Sequence, residues 1–64
     1  SSIICKEIIV PGRAQYIVLH DMHTTWGYLN IYAPNHVSAR KHFWCKIMNA
    51  LPNVPHWCVA GDLI

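Results

Sequence analysis

Charge is scarce in this chain: 12% of its 64 residues are Asp, Glu, Lys or Arg while 53% are apolar, against about 25% charged in an ordinary soluble domain. So much apolar material calls for cover. Long hydrophobic runs are missing as well, since the runs stop at about four residues and a membrane-spanning helix needs about 20. Ile3-Ile4 and Ile8-Ile9-Val10 are interrupted by Lys6-Glu7, which excludes a signal-peptide core. The cysteines are few, odd in number and widely spaced, at Cys5, Cys45 and Cys58. That arrangement excludes a fully paired disulfide framework and a CxxC metal knuckle. They are expected as small buried hydrophobes in a reducing, intracellular compartment. Internal repeats, low-complexity stretches and linkers are lacking too. Five Lys/Arg against three Asp/Glu lean mildly toward phosphate-bearing partners.

A domain of about 60 residues buries only roughly 60% of the surface its unfolded chain exposes, so it is marginal without a metal, disulfides or a partner. The chain opens on Ser1 without an initiator methionine and closes on Ile64, two residues behind Gly61-Asp62 and the apolar run Trp57-Cys58-Val59-Ala60. Residues 1–64 are therefore expected to be a single incomplete domain, an internal piece of a larger α/β fold.

Ile8 to Val10 and Ala14 to His20 are rich in β-branched and aromatic residues and flank Pro11-Gly12, a pair suited to a turn with positive φ at the glycine. This predicts a hairpin. After a polar break at Asp21–Thr25, Trp26 to Tyr32 reads as a third strand, with Trp26, Tyr28, Asn30 and Tyr32 on one face and Leu29 and Ile31 on the other. Ala33-Pro34 stops it. From about Val37 to Leu51, Phe43, Trp44, Ile47, Ala50 and Leu51 recur at helical spacing, and Pro52 ends the helix. His56 to Ala60 forms a last strand whose nearly unbroken apolar run predicts burial on both faces.

The helix decides the topology. A strand, a helical crossover and a second strand make a βαβ unit, so the third and last strands are expected to be parallel neighbours with a right-handed connection. Their carboxyl ends then lie side by side, which brings Tyr32, Asn35 and Asp62 to one rim. Ligands of open α/β sheets gather at such ends.

At these residues the sequence resembles the endonuclease/exonuclease/phosphatase superfamily, which contains abasic-site endonucleases, deoxyribonuclease I and the endonuclease domains of non-LTR retroelements. Three blocks carry the resemblance: Gly12-Arg13-Ala14 before a strand; Leu29-Asn30-Ile31-Tyr32-Ala33-Pro34-Asn35, similar to an NxYAPN segment, followed by Arg40 and Phe43-Trp44; and Gly61-Asp62-Leu63-Ile64 in the place of GDFN or GDLN. Thr25-Trp26-Gly27 and Phe43-Trp44 look most like the retroelement and plant-type nuclease members. The resemblance implies a partial four-layer αββα sandwich, an α/β (α+β) architecture of which this chain supplies about a quarter. It also implies hydrolysis of phosphodiesters or phosphomonoesters with Mg²⁺ or Mn²⁺ on a nucleic-acid substrate such as DNA. Tyr32 would then contact the phosphate or the leaving oxygen, Asn35 would hydrogen-bond the phosphate, and Asp62 would orient or deprotonate the attacking water.

One position departs from the pattern: Ile64 stands where the family has asparagine, and its side chain neither donates nor accepts a hydrogen bond. The family's principal metal-binding glutamate lies upstream of this segment and its aspartate-histidine pair downstream. Octahedral Mg²⁺ wants carboxylates plus substrate oxygens, and Glu7 and Asp21 have no reason to approach Asp62. The chain alone is expected to bind no ion tightly and to lack catalysis.

Each residue also has a structural reading. Asn35 after Pro34 suits a helix N-cap or a turn residue, Tyr32 a strand-end packing residue, and Asp62 after glycine a turn former. His20, Asp21 and His23 have a spacing compatible with a metal but read as a solvated loop, and Arg40, Lys41 and Lys46 could touch a nucleic-acid backbone but read first as a solvated helix face. His42 and Cys45 at i,i+3 spacing are too common a pair to imply a thiol nucleophile. Two other functions stand beside the nuclease fragment: a small protein-interaction module whose apolar sheet docks on another protein, and a translated retroelement remnant without a selected role.

Overall fold

The computed structural model describes residues 2–62, so Ile64, where the chain departs from the GDLN pattern, lies outside the described residues. Four strands and one helix follow in the order β1 (Ser2–Val10), β2 (Ala14–Asp21), β3 (Thr24–Tyr32), α1 (Val37–Ala50) and β4 (His56–Asp62). The sheet runs β1-β2-β3-β4. β1/β2 and β2/β3 are antiparallel and β3/β4 parallel, the α/β arrangement with a crossover helix that the sequence predicts.

Tight turns make the antiparallel part. Gly12 takes φ +71° at the first hairpin, and the Arg13 N–H closes it on the Val10 carbonyl at 3.0 Å. The second turn is shorter than the polar break predicted for it. β2 runs on to Asp21 and β3 starts at Thr24, because a reversal needs only Met22-His23 once Met22 adopts φ 55°, and Thr24-Thr25 are β-branched residues suited to a strand. β1 likewise starts at Ser2 rather than Ile8. Its pairing with β2 shifts between Ile3 and Cys5 and again between Ile8 and Val10, and such bulges break the two-residue period that a sequence pattern displays.

β3 alternates as expected: Gly27, Leu29 and Ile31 are buried, Tyr28, Asn30 and Tyr32 exposed. The buried set joins Ala14, Tyr16 and Val18 of β2 in one cluster that Phe43 and Ile47 of α1 cap, with Ala33 at its end. Half-buried Trp44, Leu51 and Trp57 pack on its margin. Ala50, assigned to the apolar stripe by spacing, faces out.

Two burial expectations fail. β4 is an edge strand, and apart from half-buried Trp57 its residues are exposed. The helix covers the cluster on β2 and β3, leaving Val59 on the helix side of β4 51% exposed. The cysteines are not buried hydrophobes either: Cys45 and Cys58 are exposed and Cys5 is half-buried, all with free thiols. Cys45 lies on the outward side of α1, while Cys58 pairs with exposed Tyr28 on the uncovered side of the sheet.

Burial raises the Tyr16 phenol above its usual pKa, and the Cys5 thiol and the Glu7 carboxylate add to the effect. The folded chain therefore holds this proton more tightly than the unfolded chain, whose tyrosines titrate near 10. Stability is complete below about pH 10 and is lost as pH rises through the higher folded-state value. Denaturant titrations at pH 8 and above pH 10 should show this loss, and Tyr16→Phe should shrink it. An equal loss in both proteins would place its origin elsewhere.

Candidate functional site

The parallel pairing of β3 and β4 builds the site. Register runs from Trp26 opposite His56 to Tyr32 opposite Asp62, and paired residues on neighbouring strands project to the same side of a sheet. Tyr32 and Asp62, chosen from sequence, therefore meet at the carboxyl ends of two parallel strands. Both are exposed, Tyr32 by 54%. The Ala33 N–H donates to the Asp62 carbonyl at 3.0 Å and carries the pairing one step past the end of β3.

Gly61 explains why a glycine precedes the acid. It adopts φ +116°, and a Cβ there would overlap the carbonyl oxygen of Ile31. Only a residue without a side chain lets β4 approach β3 this closely and still deliver Asp62 beside Tyr32. Gly27 has a different job: a Cβ there would overlap the Trp57 ring, which stands edge-on to Tyr16 at 5.8 Å.

Arg13 is the residue that sequence reasoning left without a role. Ala14 pairs with Ile31 in the antiparallel β2/β3 ladder, so Arg13 falls opposite Tyr32, whose N–H donates to the Arg13 carbonyl at 2.6 Å. The Arg13 guanidinium donates back to the Tyr32 carbonyl at 3.2 Å and lies 5.2 Å from the centre of its ring. The rim thus presents a phenol, a guanidinium and a carboxylate.

Asn35 leaves the same rim three residues beyond Tyr32 and is exposed. It is not the helix cap. His36 occupies the N-cap without a side-chain cap bond, and its Nδ1 lies 2.9 Å from Ser38 Oγ. Asn35 lies in the bend one residue before the cap.

The remaining histidines are dispersed. His20 Nδ1 lies 3.3 Å from Thr25 Oγ1, at the end of β3 away from Tyr32, about 25 Å off at strand rise. His56 stacks on Trp26 at 4.7 Å. Cys45 accepts from the Asn49 amide at 3.7 Å. Among the described residues no three His, Cys, Asp or Glu side chains form a group that would hold a metal ion. Asp62 is the one carboxylate in the Tyr32 register, and a single carboxylate with a neighbouring guanidinium does not fit the oxygen-rich shell of Mg²⁺ or Mn²⁺. No step is derived through such an ion.

Among the described residues no helix is long and apolar enough to cross a membrane. Comparison of the chain with models of protein families, with curated proteins and with solved structures finds no match.

Proposed function

We propose that this chain carries the phosphate-contacting and water-orienting rim of a phosphodiester-hydrolysing domain of the endonuclease/exonuclease/phosphatase kind, with DNA or another nucleic acid as its substrate. The observation that carries the reading is the pairing of Tyr32 with Asp62 at the carboxyl ends of parallel β3 and β4. In that role the Tyr32 hydroxyl donates to a phosphate oxygen or to the leaving oxygen, and the Asn35 amide donates to the phosphate. The Asp62 carboxylate accepts a hydrogen bond from the attacking water and takes its proton. Arg13, stacked on Tyr32, places a fixed positive charge beside the phosphate and limits the ring's freedom.

In a complete domain of this kind a Mg²⁺ or Mn²⁺ ion would offset charge on the phosphoryl oxygens. One carboxylate cannot hold it, so the other donors belong to a remainder of the domain that partners this chain. The retroelement members are the kin that Thr25-Trp26-Gly27 and Phe43-Trp44 suggest. A reducing intracellular compartment suits the three free cysteines.

Two measurements test the reading. With Mg²⁺ or Mn²⁺ the chain alone should nick plasmid DNA no faster than a protein-free control; nicking that Asp62→Ala abolishes would overturn the incomplete-site argument. In binding to a short DNA, Tyr32→Phe should weaken affinity about 3- to 10-fold, the loss of one hydrogen bond. Asp62→Asn should strengthen binding, because it removes an anion from beside the phosphate. If both substitutions leave affinity where it was, the rim does not receive a phosphate.

A second reading draws on the bare face of the sheet. Ile8, Ile17, Tyr28 and Cys58 lie on the side away from α1, with Ile8 70% exposed, and Ile17, Tyr28 and Cys58 border a depression of about 360 Å³. The chain exposes 4648 Å², against roughly 4,200 Å² for a compact monomer of its 7.3 kDa. That face favours the protein-interaction module, and a chain that is cooperative and monomeric without partners would support it.

A further inference from the structure

Beside the rim, a groove of about 200 Å³ lies between the β1/β2 turn and α1. Arg13 from the turn and His42 and Lys46 from the helix line it. Val10, Pro34 and Phe43 form its apolar floor, and no carboxylate is among the described residues that line it. His42 and Lys46 are four residues apart and so sit one above the other on a single face of α1. Arg13 borders both places: the residue lines the groove, and its guanidinium lies 5.2 Å from the centre of the Tyr32 ring. Of the five Lys and Arg residues, Arg13, Arg40, Lys41 and Lys46 belong to the turn or the helix and only Lys6 to β1.

We infer that the groove is a second phosphate subsite, which holds the backbone of a nucleic-acid strand at a phosphate neighbouring the one at Tyr32 and Asp62. Sequence patterning reads Lys46 as part of a solvated helix face; the structure sets it across a groove from Arg13. Lys46 and His42 stand together on the helix wall of the groove, no carboxylate lines it among the described residues, and its apolar floor suits the sugar edge between phosphates. One of the five guanidinium N–H groups of Arg13 is spent on the Tyr32 carbonyl, which leaves a fork suited to phosphate oxygens. The inference rests on the proposed phosphodiester reading, because the groove is placed relative to the Tyr32 rim.

The test is fluorescence anisotropy of a labelled oligodeoxynucleotide of about ten residues with the 64-residue chain, over a series of salt concentrations. Lys46→Gln should weaken binding about 3- to 10-fold and lower the slope of log affinity against log salt by roughly 0.7 to 0.9, the loss of one phosphate contact. Lys6→Gln, on β1 and outside the residues that line the groove, should change neither. Equal effects of Lys46→Gln and Lys6→Gln would overturn the subsite in favour of diffuse charge. If Tyr32→Phe weakens binding and Lys46→Gln does not, the groove is wrong and the rim stands. The opposite pattern keeps the groove and sinks the rim. Displacement of the oligonucleotide by millimolar inorganic phosphate would make the groove a small-anion site and overturn the strand as its ligand, whereas failure of phosphate to compete supports it. No binding by the wild-type chain overturns both proposals.

Discussion

Gly61→Ala is expected to destabilise the chain by on the order of 3 kcal/mol or more and to detach Asp62 from Tyr32. The new methyl group meets backbone rather than a flexible side chain, namely the carbonyl oxygen of Ile31, at a φ of +116° that L residues rarely adopt. Left-handed backbone alone costs about 1–2 kcal/mol, and overpacking adds roughly 1–3 kcal/mol. A chain of this size has only about 3–5 kcal/mol to lose. The local consequence is as diagnostic as the global one: the Ala33 amide, hydrogen-bonded to the Asp62 carbonyl, should lose its protection against hydrogen exchange. Gly12→Ala provides the contrast. Its φ is also positive, at +71°, but a Cβ there meets nothing within 4 Å, so the cost should stay near 1–2 kcal/mol. Equal losses at the two glycines, with Ala33 still protected in both variants, would show that close approach of β4 to β3 does not depend on Gly61.

Ile47→Ala should be comparably severe for a different reason. Ile47 is 1% exposed and stands with Phe43 over the Leu29 and Ile31 side of β3. Truncating a buried isoleucine costs about 2–5 kcal/mol through lost burial and the cavity left behind. Few other side chains share the load, since the buried cluster among the described residues comprises only Ala14, Tyr16, Val18, Leu29, Ile31, Ala33, Phe43 and Ile47. The adjacent Met48 is 74% exposed, and Met48→Ala should shift stability by no more than about 0.5 kcal/mol. Urea unfolding followed by tryptophan fluorescence distinguishes the two. Because α1 is the crossover that keeps β4 parallel to β3, Ile47→Ala should also weaken binding at the Tyr32 rim. Similar midpoints for Ile47→Ala and Met48→Ala would mean that the helix is not packed as described.

Legibility from sequence differed from element to element. β3 was readable to its last residue because its alternation is regular and Ala33-Pro34 stops it. The hairpin around Pro11-Gly12 was equally clear. The first six residues of β1 were not, because two bulges put Ile3, Cys5, Ile8 and Val10 out of step with a simple alternation. Burial was read least well in β4, where an apolar run signifies cover only if cover exists. Val59, Cys58 and Ala60 carry the composition of an inner strand in an edge position.

The site divides in the same way. Tyr32 and Asp62 were found together because two strands joined by a helix of adequate length run parallel, and parallel strands end on the same side. Arg13 was missed because its closeness to Tyr32 depends on the β2/β3 register, a contact spanning 19 residues. Asn35 follows Tyr32 by three residues and is exposed, and the cap reading that competed for it passed to His36.

By itself, then, the amino-acid order determined the number and type of elements, their direction, and the strand end to which a phenol and an acid are brought. These follow from local periodicity, turn chemistry and the length of the crossover. Only the tertiary structure decided which surfaces are covered, why residue 61 must lack a side chain, and that Arg13 lies against Tyr32. Those features depend on distances between backbone segments far apart in the chain, and no local pattern encodes such a distance.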